Sequence, residues 1–206
     1  MSGAPGHVSD YDAATALVVV DLQNDFAAPA GGLAVPGGES IIPRVNDELR
    51  RAVDAGAFVV ATQDWHPAST PHFAKDGGIW PVHCVGETWG AELHPALELP
   101  PGAPRVRKGS AGEDGYSGFT MRDPVTGEEL PTELEALLHE RGIERVRVCG
   151  LATDYCVKAT ALDAVRLGFV TTLIGDAVAS VDLEPGDGER AMAEMSEAGV
   201  GMAITG

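Results

Sequence analysis

Three residues that could cooperate in nucleophilic catalysis, Asp21, Lys108 and Cys156, stand far apart in the sequence. A cysteine attacks carbonyl carbons as its thiolate, so a carboxylate that accepts the thiol proton and a cation that favours both anions would activate it. Cys156 follows an apolar run and a turn at Gly150, in the first turn of a predicted helix, where free N–H groups and the helix dipole favour a thiolate. These residue types indicate acyl transfer by a cysteine nucleophile. The alternative is a cysteine in the core, an Asp21 that caps a helix and a solvated Lys108.

A second group of side chains has the donor types of a transition-metal site. Asp64 and His66 are two positions apart, so an extended segment places both on one side, and His72 and His83 follow in the same irregular stretch. One carboxylate and up to three imidazoles suit Zn, Fe, Mn or Co, with water at open positions. Cys84 could replace one donor, and unliganded loop histidines are the alternative. The sequence predicts one divalent metal ion, with Zn as first choice and Fe or Mn as alternatives.

Aromatic residues accompany both groups. Phe26, Trp80 and Tyr116 lie on segments that also carry candidate site residues. Such rings could sandwich a flat ring of a small-molecule substrate in a cleft. Taken singly, each is equally well explained as a core residue.

These side chains need a scaffold, and the hydrophobic pattern predicts one. Apolar runs bounded by turn residues predict strands at 16–21, 57–62, 105–108, 144–150, 169–174 and 201–204. Helical periodicity, with glycines that stop three of the helices, predicts helices near 41–53, 132–142, 154–167 and 187–198. A capping box of Thr132 and Glu135 opens the second of them. Strand and helix alternate, which predicts βαβ units and a parallel sheet between helix layers.

The predicted strand ends bring the candidate residues together. Ligands of such folds bind outside the carboxyl ends of the strands. Asp21, Lys108 and Cys156 come at or just after the ends of the first, third and fourth predicted strands, and Asp64 and His66 follow the second. We therefore expect both groups to share one edge of the sheet.

Length, charge and cysteine content narrow the class of protein. The chain of 206 residues suits one domain, predicted at 16–206 after a flexible, Gly/Pro/Ser-rich tail at 1–15. The formal net charge of −17 repels phosphate backbones and anionic membranes, so nucleic acid and membrane partners are not expected. Three cysteines without regular spacing, together with no visible signal peptide or membrane-spanning run, indicate a cytoplasmic setting.

Six motifs together resemble the isochorismatase-like cysteine hydrolases, and within that family its nicotinamidase branch. They are Val-Val-Asp-Leu-Gln-Asn-Asp-Phe at 19–26, Thr-Gln-Asp-Trp-His at 62–66, Trp-Pro-Val-His-Cys-Val at 80–85, Lys-Gly at 108–109, Tyr-Ser-Gly-Phe at 116–119 and Gly-Leu-Ala-Thr-Asp-Tyr-Cys-Val at 150–157. In order and spacing they cover nearly the whole chain after the tail. Tyr155 departs from some relatives, which have His there, and this difference bears on substrate fit.

The resemblance implies a three-layer α/β/α, Rossmann-like fold with a mostly parallel six-stranded sheet. It also implies roles for individual residues: a catalytic triad of Asp21, Lys108 and Cys156; an oxyanion hole from the backbone N–H groups of Ala152 and Cys156; a cis peptide before Ala152; a metal held by Asp64, His66 and His83, with His72 as a fourth ligand used in some members; and a pyridine ring flanked by Phe26 and Trp80, near Tyr116.

The activity implied by the resemblance is metal-dependent hydrolysis of nicotinamide to nicotinate and ammonia through a thioester on Cys156, as in NAD salvage, with pyrazinamide as a further substrate. The nearest alternative is an N-carbamoyl or ureido amidohydrolase of the same fold. Such relatives lack the group of metal-binding residues. A vinyl ether hydrolase of the isochorismatase type and a non-catalytic metal-stabilised binding protein are further alternatives. Family members often self-associate, so a homo-oligomer is possible.

Overall fold

Apolar runs form the central sheet of this protein, for which a computed structural model describes residues 10–204. The eight strands in this part of the chain are β1 (Thr15–Val20), β2 (Phe58–Asp64), β3 (Arg105–Lys108), β4 (Thr120–Arg122), β5 (Glu129–Pro131), β6 (Arg145–Leu151), β7 (Val170–Ala179) and β8 (Gly201–Ala203). Its five α-helices are α1 (Asn24–Ala27), α2 (Ile42–Asp54), α3 (Leu134–Glu140), α4 (Lys158–Arg166) and α5 (Asp187–Glu197).

Strand β1 shows why the sequence folds in three layers. Every residue of β1 is buried. Leu17 and Val19 belong to a core cluster with the apolar face of α2, whereas Ala16 and Val18 belong to a second cluster with α3, α4 and α5. A strand with helices on both faces requires an unbroken apolar run, which is the pattern that the sequence shows.

The strand order places the site. Six strands form one sheet in the order β3-β2-β1-β6-β7-β8, and each of its pairings is parallel. The predicted three-layer fold with a mostly parallel six-stranded sheet is therefore confirmed. The chain reverses its winding between β1 and β6, and this reversal creates the crevice in which ligands of doubly wound folds bind.

Several elements differ from the prediction. The hairpin of β4 and β5 was not predicted, because three-residue strands are too short to show an alternating pattern. The predicted helix at 154–167 is a π-helix at Thr153–Val157 followed by α4. The predicted capping box does not form: α3 begins at Leu134, and the Thr132 hydroxyl accepts a hydrogen bond from the Leu134 N–H instead.

Residues 10–15 of the predicted tail include a buried tyrosine and the start of β1. Residues 1–9 of that tail lie outside the described residues. Tyr11 is buried, its hydroxyl donates a hydrogen bond to the buried carboxylate of Glu48 on α2, and β1 already begins at Thr15. Among residues 10–204, helices that combine the length and the apolar character of a membrane span are absent.

Candidate active site

Lys108, the last residue of β3, lies at the centre of the site. Its Nζ is 2.8 Å from Asp21 Oδ2, 2.6 Å from Asp64 Oδ1 and 3.4 Å from Cys156 Sγ. All four side chains are buried, and Lys108 is only 1% exposed. The structure thus brings the three predicted triad residues together and adds Asp64 to the same contact network.

The sheet explains why these residues meet. Register pairs Asp64 with Lys108 across β2 and β3, and it pairs Val20 with Gly150 across β1 and β6. A Cβ atom at Gly150 would lie 2.1 Å from the Val20 carbonyl oxygen, so only glycine allows this approach. Cys156 then follows β6 in the π-helix, and its Sγ lies within 4.8 Å of a carboxylate oxygen of Asp21.

Asp21 is held in an unusual backbone conformation immediately after β1. Its φ of 46° lies in the left-handed region, which aspartate tolerates better than most residues. The Thr62 hydroxyl on β2 donates a hydrogen bond of 2.6 Å to Asp21 Oδ1. The other carboxylate oxygen therefore remains directed at Lys108.

Burial and charge set the protonation of this network. Burial raises the pKa of the Asp21 carboxyl, although Lys108 opposes the rise. Burial also raises the pKa of the Cys156 thiol well above its usual range, with Asp21 and Asp64 adding to the effect against Lys108. Burial lowers the pKa of Lys108, but the two carboxylates outweigh it and the pKa is well above normal. The resting site therefore holds a neutral thiol beside an ammonium ion.

Asp64 connects this network to the histidine cluster. Its Oδ2 lies 3.8 Å from His66 Nε2 and 3.9 Å from His83 Nε2. Donor atoms of His66, His72 and His83 lie within 4.8 Å of one another. Burial raises the pKa of Asp64, but Lys108 and the histidines outweigh it and hold that pKa well below its usual value. Asp64 therefore remains a carboxylate, as a metal ligand must.

The hydrogen bonds of two histidines leave their Nε2 atoms available to a metal ion. His83 Nδ1 is 2.7 Å from the Pro81 carbonyl oxygen and His72 Nδ1 is 2.7 Å from Asp114 Oδ1, so both donate there and leave Nε2 as a ligand atom. Neither ring nitrogen of His66 has a hydrogen-bond partner among residues 10–204, although both are buried. A buried imidazole nitrogen of this kind fits a metal ion, which would accept its lone pair.

Two other candidate arrangements do not fit a metal ion. Asp21, Asp64 and Cys156 also have donor atoms within 4.8 Å of one another, but the Lys108 ammonium contacts all three. Cys84 is fully buried, and its thiol lies 3.9 Å from the Gly90 carbonyl oxygen. Cys84 is absent from both donor groups found among the described residues, so the structure gives no support to its predicted exchange for another donor.

The backbone at two metal candidates is held by side chains of the segment that follows β1. Gln23 accepts a hydrogen bond from the Asp64 N–H at 2.8 Å and donates to the Asp64 carbonyl oxygen at 2.6 Å. Asp25 accepts one from the Cys84 N–H at 2.7 Å, next to His83. These contacts explain why the motif at 19–26 contains polar residues between its aspartate and its phenylalanine.

An apolar cleft opens beside Cys156. Its lining includes the predicted aromatic residues Phe26, Trp80 and Tyr116, together with Ala152 and three of the predicted metal ligands, Asp64, His72 and His83. Trp80 donates a hydrogen bond of 3.1 Å to the Tyr116 hydroxyl. The peptide bond between Leu151 and Ala152 is cis, as expected. The predicted oxyanion donors, the N–H groups of Ala152 and Cys156, thus belong to residues of the cleft wall.

Tyr155 belongs to this cleft and was not among the predicted site residues. Its ring centroid lies 5.1 Å from that of Trp80 and 5.3 Å from that of Tyr116. Its position beside Cys156 and its difference from some relatives were the available signals, but the face that it presents depends on the π-helix. Three aromatic rings therefore border one side of the cleft.

Comparison with known proteins agrees with this geometry. The fold and the site together define an α/β amidohydrolase. The isochorismatase domain model matches residues 15–205, and the chain belongs to that family. Its predicted membership is confirmed.

Similar proteins include a nicotinamidase, a pyrazinamidase and a protein solved with nicotinate. The nicotinamidase of Escherichia coli is 40% identical over an alignment 200 residues long, which covers 89% of this chain and 92% of that protein. The pyrazinamidase of Pyrococcus horikoshii, solved in complex with zinc, has a TM-score of 0.83 and 43% identity over 93% of this chain and 99% of its own. A protein of L. infantum, solved in complex with nicotinate, has a TM-score of 0.83 and 35% identity over 95% of this chain and 97% of its own.

Proposed function

We propose that this protein hydrolyses nicotinamide to nicotinate and ammonia, with pyrazinamide as a second substrate and pyridine nucleotide salvage as its setting. The observation that carries the proposal is the single Lys108 ammonium that contacts Asp21, Asp64 and Cys156 at the foot of an aromatic cleft. A flat aromatic carboxamide matches that cleft, because rings such as Phe26 and Trp80 can face a planar heterocycle while its amide reaches the thiol.

The first chemical step is attack by Cys156. Asp21 accepts the thiol proton, since its raised pKa makes it a competent base and one of its carboxylate oxygens lies within 4.8 Å of Cys156 Sγ. The sulfur forms a bond to the carboxamide carbon, and the N–H groups of Ala152 and Cys156 stabilise the oxyanion. Lys108 stays protonated and offsets the negative charge throughout.

The second step breaks the carbon–nitrogen bond. Asp21 returns its proton to the amide nitrogen, ammonia leaves, and a thioester remains on Cys156. Water then attacks the thioester carbon and gives its proton to Asp21. The carbon–sulfur bond breaks and Asp21 passes that proton to the departing sulfur, which restores the thiol and the Asp21 carboxylate; the carboxylic acid leaves and ionises to nicotinate.

The histidine cluster gives the substrate a second anchor. Asp64, His66 and His83, with His72 as a fourth donor, would hold a divalent ion, zinc by preference, and this ion would supply a Lewis acid for the ring nitrogen of the substrate. The chain supplies the orientation, since Asp64 contacts both the ion's ligand set and Lys108. The N-carbamoyl and ureido alternative is not favoured, because it leaves this cluster without a role.

An ammonia-release assay tests the proposal. We expect turnover of nicotinamide and pyrazinamide, no comparable turnover of N-carbamoyl compounds, and loss of turnover when a chelator removes the metal. Cys156→Ala should lower kcat by at least about 10³-fold, because the site offers no second nucleophile. Cys149→Ala is the matched control, since Cys149 is a fully buried core thiol on β6. Parent-like ammonia release by Cys156→Ala would overturn the mechanism.

A further inference from the structure

Asp114 carries a carboxylate beside the histidine cluster. It takes no part in the proposed mechanism and is not one of the proposed metal ligands. Its Oδ1 lies 2.7 Å from His72 Nδ1. The His72 side chain is only 6% exposed, whereas that of Asp114 is 49% exposed. A half-exposed carboxylate thus forms the outer partner of a buried imidazole.

This contact fixes the chemistry of the His72 ring. An ionised carboxylate only accepts hydrogen bonds, so the proton of neutral His72 lies on Nδ1 and the lone pair lies on Nε2. The ring also keeps its place in the cluster, with centroids 4.7 Å from that of His66 and 5.3 Å from that of His83. Without the carboxylate, the ring would lose the contact that selects this tautomer and this orientation.

Asp114 is itself held by the small hairpin. Its N–H donates to the Arg122 carbonyl oxygen at 2.8 Å, and the Arg122 N–H donates back to the Asp114 carbonyl oxygen at 2.5 Å. Arg122 is the last residue of β4. Asp114 Oδ1 also accepts a hydrogen bond from the Gly115 N–H at 2.8 Å, which fixes its rotamer.

We propose that Asp114 is a positioning residue that orients His72 as a metal ligand, and that the β4–β5 hairpin exists in part to hold Asp114 there. The inference rests on the metal site of the proposed function, but not on the identity of the substrate. Carboxylate partners of metal-bound histidines raise the basicity of the ligand and fix its orientation. Asp114 therefore controls affinity for the ion without touching it.

This role is tested by preparing the metal-free protein and measuring its affinity for added metal ions. Zn²⁺ and Co²⁺ are titrated in competition with a chromophoric chelator, and the visible spectrum of bound Co²⁺ reports its coordination number. We expect Asp114→Ala to weaken Zn²⁺ binding about tenfold, the lower end of the usual range, because the carboxylate is half exposed and its interaction is screened. Asp114→Asn should weaken binding less, because its amide oxygen still accepts the Nδ1–H.

Two further variants separate positioning from general charge effects. Glu113→Ala removes the same charge one residue away, and its carboxylate accepts a hydrogen bond from the Ala111 N–H rather than from a histidine. We expect it to bind Zn²⁺ like the parent. His72→Ala should weaken binding at least as much as Asp114→Ala, and the double variant should bind no more weakly than His72→Ala alone, because Asp114 acts only through His72.

Several results would overturn the proposal: parent-like Zn²⁺ affinity in Asp114→Ala or in His72→Ala, an equal loss in Glu113→Ala, or additive losses in the double variant. These titrations contain no substrate. If the protein released no ammonia from nicotinamide but lost Zn²⁺ affinity in the expected order, the proposed function would fail and this inference would stand.

Discussion

The two halves of the site are built in different ways. The acid, the ammonium and the thiol of the triad lie at or just after strand ends whose neighbours are fixed by parallel pairing, and the ammonium contacts the other two directly. The histidines, Trp80 and Tyr116 come from irregular segments at 65–102 and 109–118, and hydrogen bonds from residues such as Gln23, Asp25 and Asp114 hold those segments.

The two halves also differ in whether the chain itself supplies partners for their buried polar groups. The triad half contains its own counter-ion, since the Lys108 ammonium contacts the carboxylates of Asp21 and Asp64 beside the thiol. The histidine half leaves both ring nitrogens of His66 without hydrogen-bond partners among the described residues, and in the proposed function one of them would bind the ion. Asp64 belongs to both halves, with one oxygen on Lys108 and the other facing the histidines.

The largest expected effect comes from Lys108→Met, which removes the charge at the centre of the triad half. Two buried carboxylates would lose their counter-ion, so the metal-free protein should lose about 3–5 kcal/mol of unfolding free energy. Activity should fall by orders of magnitude, because Asp21 would hold a proton and could not act as a base. Urea denaturation and ammonia release measure the two losses.

A variant in the histidine half gives the matched comparison. His83→Gln keeps a polar side chain near the Pro81 carbonyl oxygen, with which the His83 ring interacts in the parent. The variant should lower the unfolding free energy of the metal-free protein by only about 0.5–1.5 kcal/mol, which is the net contribution of one hydrogen bond. Equal losses in the two variants would show that the halves do not differ in the way that we describe.

The sequence predicted the triad half more fully than the other. Apolar runs marked the strands, and the positions just after them marked Asp21, Lys108 and Cys156, because parallel strands end at one edge. The metal candidates were found from their donor types, but their partners were not. Asp114 and Thr62 have no local signal, since each acts on a residue from a distant segment through tertiary packing. Tyr155 depends on a π-helix that the apolar periodicity does not distinguish from an α-helix.

A smaller effect is expected at the boundary between the halves, where Gly109 follows Lys108. Gly109 has a φ of 80°, and a Cβ atom there would lie 2.7 Å from His66 Nδ1. Gly109→Ala should therefore displace the His66 ring and weaken Zn²⁺ binding about tenfold. Gly112→Ala is the matched control, because Gly112 also has a positive φ, of 94°, but its nearest neighbour is 4.0 Å away.

Chelator competition on both alanine variants separates backbone strain from the clash. Each variant places an alanine in the left-handed region at a cost of about 1–2 kcal/mol, so their unfolding free energies should fall together. Only Gly109→Ala should lose metal affinity. A similar loss in Gly112→Ala would mean that strain in the 109–118 loop, rather than contact with His66, controls the site.

The smallest expected effect is a shift in pH dependence on removal of the Thr62 hydroxyl, which donates to Asp21. Burial already raises the pKa of Asp21, and Thr62 and Lys108 oppose that rise. Thr62→Val removes one of the two opposing contacts, so the pKa must rise further. Because Asp21 acts as a base only when deprotonated, the acid limb of kcat/KM should move to higher pH, with a loss of about several-fold on that limb and a plateau near the parent's.

Thr171→Val provides the control for loss of a buried strand hydroxyl, since Thr171 is buried on β7 and its hydroxyl donates to the Phe169 carbonyl oxygen at 3.0 Å. It should leave the position of the acid limb unchanged. The direction of the Thr62 shift is decisive, because a general loss of stability would lower the rate at every pH. An acid limb of Thr62→Val that coincides with the parent's would exclude Asp21 as the group that this limb reports, and proton transfer in the triad half would need another acceptor.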